Sequence, residues 1–263
     1  MAVGLLGTAV SGLQAFQRAI SVAGHNISNA NTEGYTRQRI ELGTRPPTFN
    51  GAGYIGNGVT IEGISRVLDQ FANERLRDAT SSSAQYDTLA LFAGRVSDLL
   101  GDTDAGVSAG LEKFFDAVQT VADDPSSIPA RQLMLAESDS LVANFHNINS
   151  QLDSFRSEIN NGITSMVEEV NDLSTAIAEV NRNIVDASDL SSGQLPNDLL
   201  DKRDQLVSRL AELVAVRTTE QDNGALNIFI GSGQSLVTGF LASDLQAMPN
   251  SFDSRRLDIA INS

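Results

Sequence analysis

Two histidines, no cysteine and thirty-three acidic side chains are the material from which any reaction centre in this 263-residue chain has to be built. His146 stands one residue from Phe145 on a helical seam and has no His or carboxylate four residues on, so it lacks the spacing of a metal ligand. His25 falls near the end of an amino-terminal helix, where a helix-dipole contact or local hydrogen bonding accounts for it. With no thiol and almost no imidazole, the abundant Ser residues have no base to activate them. A pair of carboxylates, as in glycosidases, is the one catalytic arrangement that stays open. Gly51-Ala52-Gly53-Tyr54-Ile55-Gly56 has the letters of a dinucleotide fingerprint, but it runs into a second alternating segment at Val59 to Ile61. That motif needs a helix N-terminus to receive the pyrophosphate, so a glycine-rich hairpin loop is expected here. Asp102-Thr103-Asp104-Ala105-Gly106 opens like a calcium loop but lacks the third oxygen ligand, the shifted glycine and the closing Glu, which leaves a helix-linking turn. The expectation is no catalytic residue, no cofactor, no metal, and no enzyme.

Charge narrows the partners. A formal charge of -15 disfavours nucleic-acid phosphates and anionic membrane, both of which ask for a basic surface. Lys113 and Lys202 are the only lysines, while Asn, Ser, Gln and Asp are plentiful, so the surface is polar and suited to packing against copies of itself. No apolar run reaches the ~20 residues of a membrane span. No basic residue precedes Arg18 and small or polar residues interrupt the apolar stretch, so the start is no secretory signal, and export would need a dedicated machine.

The elements follow from periodicity. Ala2, Leu6, Ala9, Leu13, Phe16, Ile20, Ala23 and Ile27 are spaced 4,3,4,3,4,3,4, a heptad seam. Such a seam lies either on the chain's own core or against a helix of another copy. Gly4, Gly7, Gly12 and Gly24 lower helix propensity, and few large side chains are available to offset the cost of ordering the segment. It is therefore expected to order on docking, with Leu6, Leu13, Phe16, Ile20 and Ile27 as the assembly interface, and to be mobile in the free monomer. From Thr36 to Ile64 the period becomes two, predicting strands around Arg39–Leu42 and Val59–Glu62 joined by a long Gly- and Pro-rich loop.

Helical spacing returns from Val67 to about Gly101, with Thr80-Ser81-Ser82-Ser83 as a weak middle, and again over residues 110 to 122. Beyond Pro129, thirteen apolar positions from Leu141 to Ile184 keep 4,3 steps apart from one stutter at Phe155 to Ile163. At 1.5 Å per residue that helix spans about 66 Å, the length of an architectural member of an elongated bundle or an intermolecular coiled coil. A further amphipathic helix covers 198 to 215, then Leu226, Ile228 and Ile230 alternate up to Gly231-Ser232-Gly233, and Leu257, Ile259 and Ile261 alternate again. The expected fold is α+β, mainly α: an elongated bundle of heptad-patterned helices with a β-hairpin, leading into a β-rich domain. Its division is 1–35 as axial helix and joint, 36–217 as helical domain with the hairpin at 38–63, and 218–263 as the start of a β-rich region that reads as truncated.

Between the first helix and the first strand, Asn26, Asn29 and Asn31, then Gly34, are placed to end a helix and satisfy its last carbonyls, while Tyr35 anchors the emerging chain. Asn26, Ile27, Ser28, Asn29, Asn31, Thr32, Gly34 and Tyr35, after Ser11-Gly12-Leu13-Gln14-Ala15, resemble the signature of the axial proteins of the bacterial flagellum, the rod, hook and hook-associated proteins. Glu33 stands where that family often has Pro. Tyr35-Thr36-Arg37-Gln38, Leu199-Leu200-Asp201-Lys202-Arg203-Asp204-Gln205-Leu206 and the segment Gly224 to Gly233 are similar to the hook-associated members. The resemblance implies a secreted structural subunit of the junction between hook and filament, exported unfolded by the flagellar type III route and assembled as a homo-oligomer in a helical tube. The implied partners are hook protein, the neighbouring hook-associated protein and an export chaperone. It also implies an amino-terminal helix that pairs with a carboxy-terminal one absent from this sequence. A hook or rod subunit is the rival within the class; a surface cell-wall hydrolase is the rival outside it.

Overall fold

Why the first helix keeps its large side chains outward follows from what lies beneath it. The structure, a computed structural model, describes residues 2–49, 51–101, 106–187 and 196–262 and, within them, no side chain at 2–5 or 262. The turn expected at Asp102 to Ala105 and the seam side chain of Ala2 lie outside this description. The fold is α+β and mainly helical, and it divides into two compact units, Met1–Ser81 with Val170–Asp244, and Ser82–Glu169 with Leu245–Ser263.

In the first unit, α1 (Ala2–Ser28) lies on an antiparallel pair formed by β1 (Gln38–Thr44) and β4 (Val59–Arg66). The face it buries is small: Ser11, Ala15 and Val22. These four- and seven-residue steps let the helix approach the strands closely. Ser11 Oγ donates to the Thr8 carbonyl at 2.8 Å and accepts the Val59 N–H at 3.3 Å, which pins the start of β4 to the helix. Gly58, at φ +89°, closes this contact, since a Cβ there would stand 2.2 Å from Ser11 Oγ. The connection between β1 and β4, expected as a loop, carries the short strands β2 (Thr48–Phe49) and β3 (Tyr54–Ile55), stacked through Phe49 and Tyr54 at 5.3 Å. The Gly51–Gly56 motif thus turns a hairpin.

The core of this unit forms where the end of α4 (Ile128–Ala187) meets α5 (Asn197–Leu213) and a meander of β5 (Val216–Glu220), β6 (Leu226–Ile230), β7 (Gln234–Thr238) and β8 (Leu241–Ala242). Ile177, Ile184, Val207, Leu210, Ile228, Leu236 and Val237 are wholly buried. Asn181 is buried among them and fully used: its amide donates to the carbonyls of Leu226 and Gly239, each at 2.8 Å, and its oxygen accepts the Leu226 N–H at 3.1 Å. This wholly buried carboxamide therefore fixes sheet to helix, as burial without partners would not permit.

The second unit contains most of α2 (Gln70–Gly101), α3 (Val107–Asp123), the first part of α4, and the strands β9 (Asp244–Pro249) and β10 (Leu257–Asn262). Helix α2 runs unbroken through Thr80–Ser83; Ser83 Oγ donates to Asp87 at 3.3 Å and, further on, Thr88 Oγ1 donates to the Ala84 carbonyl at 2.8 Å. Helix α4 starts earlier than its seam, with Ser127 Oγ accepting the Ala130 N–H and Pro129 in the first turn, where no donor is required. Its 60 residues give a helix of about 90 Å. Along it Ile148, Val170, Ile177, Val180 and Ile184 are buried, whereas Phe145, Ile159 and Met166 stay partly open. Arg95 on α2 pairs with Glu158 on α4 at 2.8 Å.

Candidate functional site: the joint beneath the first helix

The chain leaves α1 through a stack of short hydrogen-bonded turns. Asn29 closes the last turn of the helix twice over, its N–H and its Nδ2 both donating to the His25 carbonyl, at 3.1 and 3.0 Å. Thr32 Oγ1 donates to Asn29 Oδ1 at 3.3 Å, the Thr32 N–H to the Asn29 carbonyl at 2.9 Å, and the Tyr35 N–H to the Thr32 carbonyl at 3.2 Å. Gly34, at φ +75°, makes the reversal possible, with the Gln205 side chain 3.3 Å from where a Cβ would stand. Asn31 is exposed and makes no hydrogen bond to a described residue.

Asn26 does something different from its neighbours. Its Nδ2 donates to the Gln38 carbonyl at 2.9 Å while its Oδ1 accepts the Gln38 N–H at 2.8 Å. The carboxamide thereby offers the first residue of β1 the same two bonds an antiparallel strand would, and it joins helix to strand in a fixed orientation. Tyr35 completes it, donating its hydroxyl to Asn26 Oδ1 at 2.7 Å with its ring edge-on to His25 at 5.5 Å. Desolvation, and then the charges of Asp198 and Asp201, raise the Tyr35 pKa, so the phenol keeps the proton that this bond uses.

The third side of the joint is the amino-terminal half of α5. Asp198, Asp201 and Asp204 recur every third residue and share a flank of that helix. Asp201 accepts the Thr36 N–H at 2.9 Å, the Thr36 hydroxyl, and Arg66 Nη1 at 2.9 Å. Arg66 also reaches Asp204 at 2.7 Å, so one guanidinium at the end of β4 bridges two carboxylates. Burial works to lower the Arg66 pKa, but its bonds to Asp201 and Asp204 and their charges outweigh this and hold it above its ordinary value. Asp198 accepts Gln38 Nε2 at 2.9 Å and contacts His25 Nε2 at 3.4 Å, while His25 Nδ1 faces Asn29 Nδ2, an arrangement that fits the Nε2–H tautomer. Asn197 adds a bond to the Ile64 carbonyl at 2.9 Å.

These contacts leave a cavity of about 300 Å³ between the turn and α5, lined by His25, Glu33, Tyr35, Asp198, Asp201 and Gln205. Its carboxylates serve neutral donors and a guanidinium, an arrangement that fixes geometry. Among the described residues no group of three or more His, Asp or Glu is placed to hold a metal ion, and no helix is long and apolar enough to cross a membrane. His146 is exposed on α4.

Asn26, Asn29, Thr32, Gly34 and Tyr35 thus come together in one joint, with Asn31 at its rim. Leu6, Leu13, Phe16, Ile20 and Ile27 lie apart from it, on the outer side of α1, 58 to 77% exposed. Arg66, Asp198, Asp201 and Asp204 are partners of the joint that the sequence pattern does not assign to it. The available signal was the three-residue spacing of the Asp residues beside Leu200, since a carboxylate on a buried flank must find a partner.

Comparison with known proteins agrees with this architecture. A family model described as the flagellar hook-associated protein FlgK helical domain matches residues 93–263, and one described as flagella basal body rod protein matches residues 6–36. Flagellar hook-associated protein 1 of Salmonella typhimurium is 36% identical over 256 residues, which are 97% of this chain and 46% of that protein. The Escherichia coli protein of the same name is 34% identical over 97% of this chain and 47% of its own length, and that of Bacillus subtilis 26% identical over 97% and 51%. The chain spans about half the length of these curated relatives. Among solved structures, the flagellar hook junction protein FlgK from Burkholderia pseudomallei is similar with a TM-score of 0.65 at 28% identity, covering 72% of this chain and 33% of that one. The chain belongs to the flagellar hook-associated protein FlgK family.

Proposed function

We propose that this chain is a structural subunit of the flagellar junction between hook and filament. It leaves the cell unfolded through the type III export channel, escorted by an export chaperone, and folds into place outside the cell. In the assembled tube it contacts further copies of itself, hook protein and the neighbouring hook-associated protein. The observation that carries this reading is the outward seam of α1: the helix rests on its own strands through small residues, while Leu6, Leu13, Phe16, Ile20 and Ile27 remain uncovered on the opposite side. A stripe of that spacing fits another helix. The joint of Asn26, Tyr35 and Asp201 then sets the direction in which α1 leaves the body. The match to the FlgK helical domain over residues 93–263 favours a hook-associated subunit over a hook or rod subunit, and flagellar structural relatives leave the hydrolase reading unsupported.

Leu13→Asp tests the seam. A buried Leu contributes about 1.5–3 kcal/mol and an unpaired carboxylate in its place adds a desolvation cost, so assembly onto isolated hooks should be lost. The helical signal of residues 65–215 should not change. Normal junctions formed by the mutant full-length protein would remove the seam from the mechanism. In the unaltered protein, amide exchange over residues 6–31 should be fast in the monomer and slow on hooks.

A further inference from the structure

Arg203 of α5 is 3% exposed, yet only part of its guanidinium is used. Nη1 donates to the Gly224 carbonyl at 2.6 Å and lies 3.5 Å from Asn181 Oδ1. Nε has no hydrogen-bond partner, and Nη2 has Glu220 Oε1 at 3.7 Å. Nε and Nη2 form the edge of an arginine on which a carboxylate sits with two parallel bonds. Desolvation lowers the Arg203 pKa more than the charges of Asp204 and Glu220 raise it, so this cation is incompletely compensated where it stands. Arg203 lines a cavity of about 300 Å³ in the first unit, with residues of α5 and β5 on one wall and the first turns of α2 on the other. The charged side chains that α2 brings to it are Glu74 and Arg77, one turn apart, and neither makes a hydrogen bond or ion pair to a described residue. Opposite them, Arg66 and Asp204 are bonded to each other, which leaves Arg203 and Glu220. Two charges on the helix thus face two of opposite sign: Glu74 answers Arg203, and Arg77 answers Glu220.

No apolar core holds α2 at its present distance from that wall. None of its residues is buried, and Phe71 and Leu76 in its first turns are 76 and 64% exposed. The helix follows β4 through Val67, Leu68 and Asp69. Val67 donates its N–H to the Arg37 carbonyl at 2.8 Å, and Asp69 Oδ1 accepts the Ala72 N–H at 3.0 Å, so each side of Leu68 is held and the pivot lies between them. We propose that the first turns of α2 are a strap that closes over this cavity. The helix pivots at Leu68, Glu74 pairs with the Nε and Nη2 edge of Arg203, and Arg77 pairs with Glu220. Open and closed positions differ in ion pairs and not in apolar burial, so charge sets the balance between them and salt screens it. Arg66 and Asp204 line the cavity and also belong to the joint beneath α1, and through them the strap links the direction of α2 to that joint. The closure is a property of the folded chain and stands whether or not copies meet at a junction.

The test is a distance measured by pulsed electron spin resonance in the full-length protein, with spin labels on cysteines introduced at Asp78 of α2 and Lys202 of α5. Both positions are exposed, and the 263 residues hold no other Cys. At low ionic strength the distribution should contain a shorter, closed distance. Glu74→Gln should lower the ratio of closed to open by roughly tenfold, the loss of one charge-assisted pair, and about 1 M salt should lower it in the unsubstituted protein. Arg77→Gln should act in the same direction. Arg217→Gln, on the same strand as Glu220 but outside the set of four, should leave the ratio unchanged. Glu74, Arg77 and Arg217 are exposed or half-buried, so helical content should stay constant in all three variants. A ratio indifferent to Glu74→Gln overturns the strap, whatever salt does. So does a response to Arg217→Gln as large as that to Arg77→Gln, which would make the effect one of general charge.

Discussion

Replacing Asn26 by Ala removes three hydrogen bonds at one place: Nδ2 to the Gln38 carbonyl at 2.9 Å, the Gln38 N–H to Oδ1 at 2.8 Å, and the Tyr35 hydroxyl to Oδ1 at 2.7 Å. At about 0.5–1.5 kcal/mol net for each, the loss is roughly 2–4 kcal/mol, and the better helix propensity of Ala returns up to about 0.5. The remaining 1.5–3.5 kcal/mol, at about 1.4 per factor of ten, predicts exchange of the Gln38 amide faster by roughly 10- to 300-fold. The assay is residue-resolved hydrogen exchange of the protein assembled on isolated hooks, where α1 is docked, with the amides of α5 as an internal reference that should not move. Tyr35→Phe supplies the cross-check. Alone it should cost about 1 kcal/mol, and in the Asn26→Ala background close to nothing, because the hydroxyl has then lost its acceptor. An unchanged Gln38 exchange rate, or additive effects of the two substitutions, would refute the account of the carboxamide as a strand-like partner.

The other predictions concern the remaining sides of the joint. Asp201→Asn keeps the shape of the side chain but removes the charge facing Arg66, and should lower the stability of the unit by roughly 1–3 kcal/mol, read as a shifted denaturant midpoint at constant slope. Asp204→Asn should cost less, since Asp204 lacks the two Thr36 bonds; an equal or larger loss would reassign the anchor. The Tyr35 pKa lies above 10.0, raised by burial and by Asp198 and Asp201, so its contribution is complete below pH 10.0 and is lost as pH rises through the higher folded value. Tyrosinate absorbance should therefore lose its late-ionising component in Tyr35→Phe, and that substitution should remove the matching part of the alkaline destabilisation.

Periodicity located the helices because it records where large apolar side chains repeat, and it is silent on what they touch. In α1 it marked Leu6 to Ile27, yet the residues that seat the helix on its own strands are Ser11, Ala15 and Val22, too small to leave a pattern. In α2 the polar run Thr80–Ser83 is weak on propensity, yet the helix passes through it unbroken, with Ser83 bonded to Asp87 one turn on. The strands β5 and β7 carry no alternation to read: β5 has Val216 as its one apolar residue, and in β7 the adjacent Leu236 and Val237 are both buried. The joint was legible only on its amino-terminal side. Asn26 to Gln38 is a local contact, but Thr36 meets Asp201 across 165 residues and Arg66 meets it across 135, and no short window of sequence contains both partners. These long-range partners are polar for a physical reason. Apolar contacts tolerate sliding, whereas a carboxamide paired to one peptide group, and a guanidinium shared by two carboxylates, lose their bonds when the geometry changes. An outward apolar stripe supplies attraction in many orientations of α1, and the hydrogen-bonded joint selects one of them.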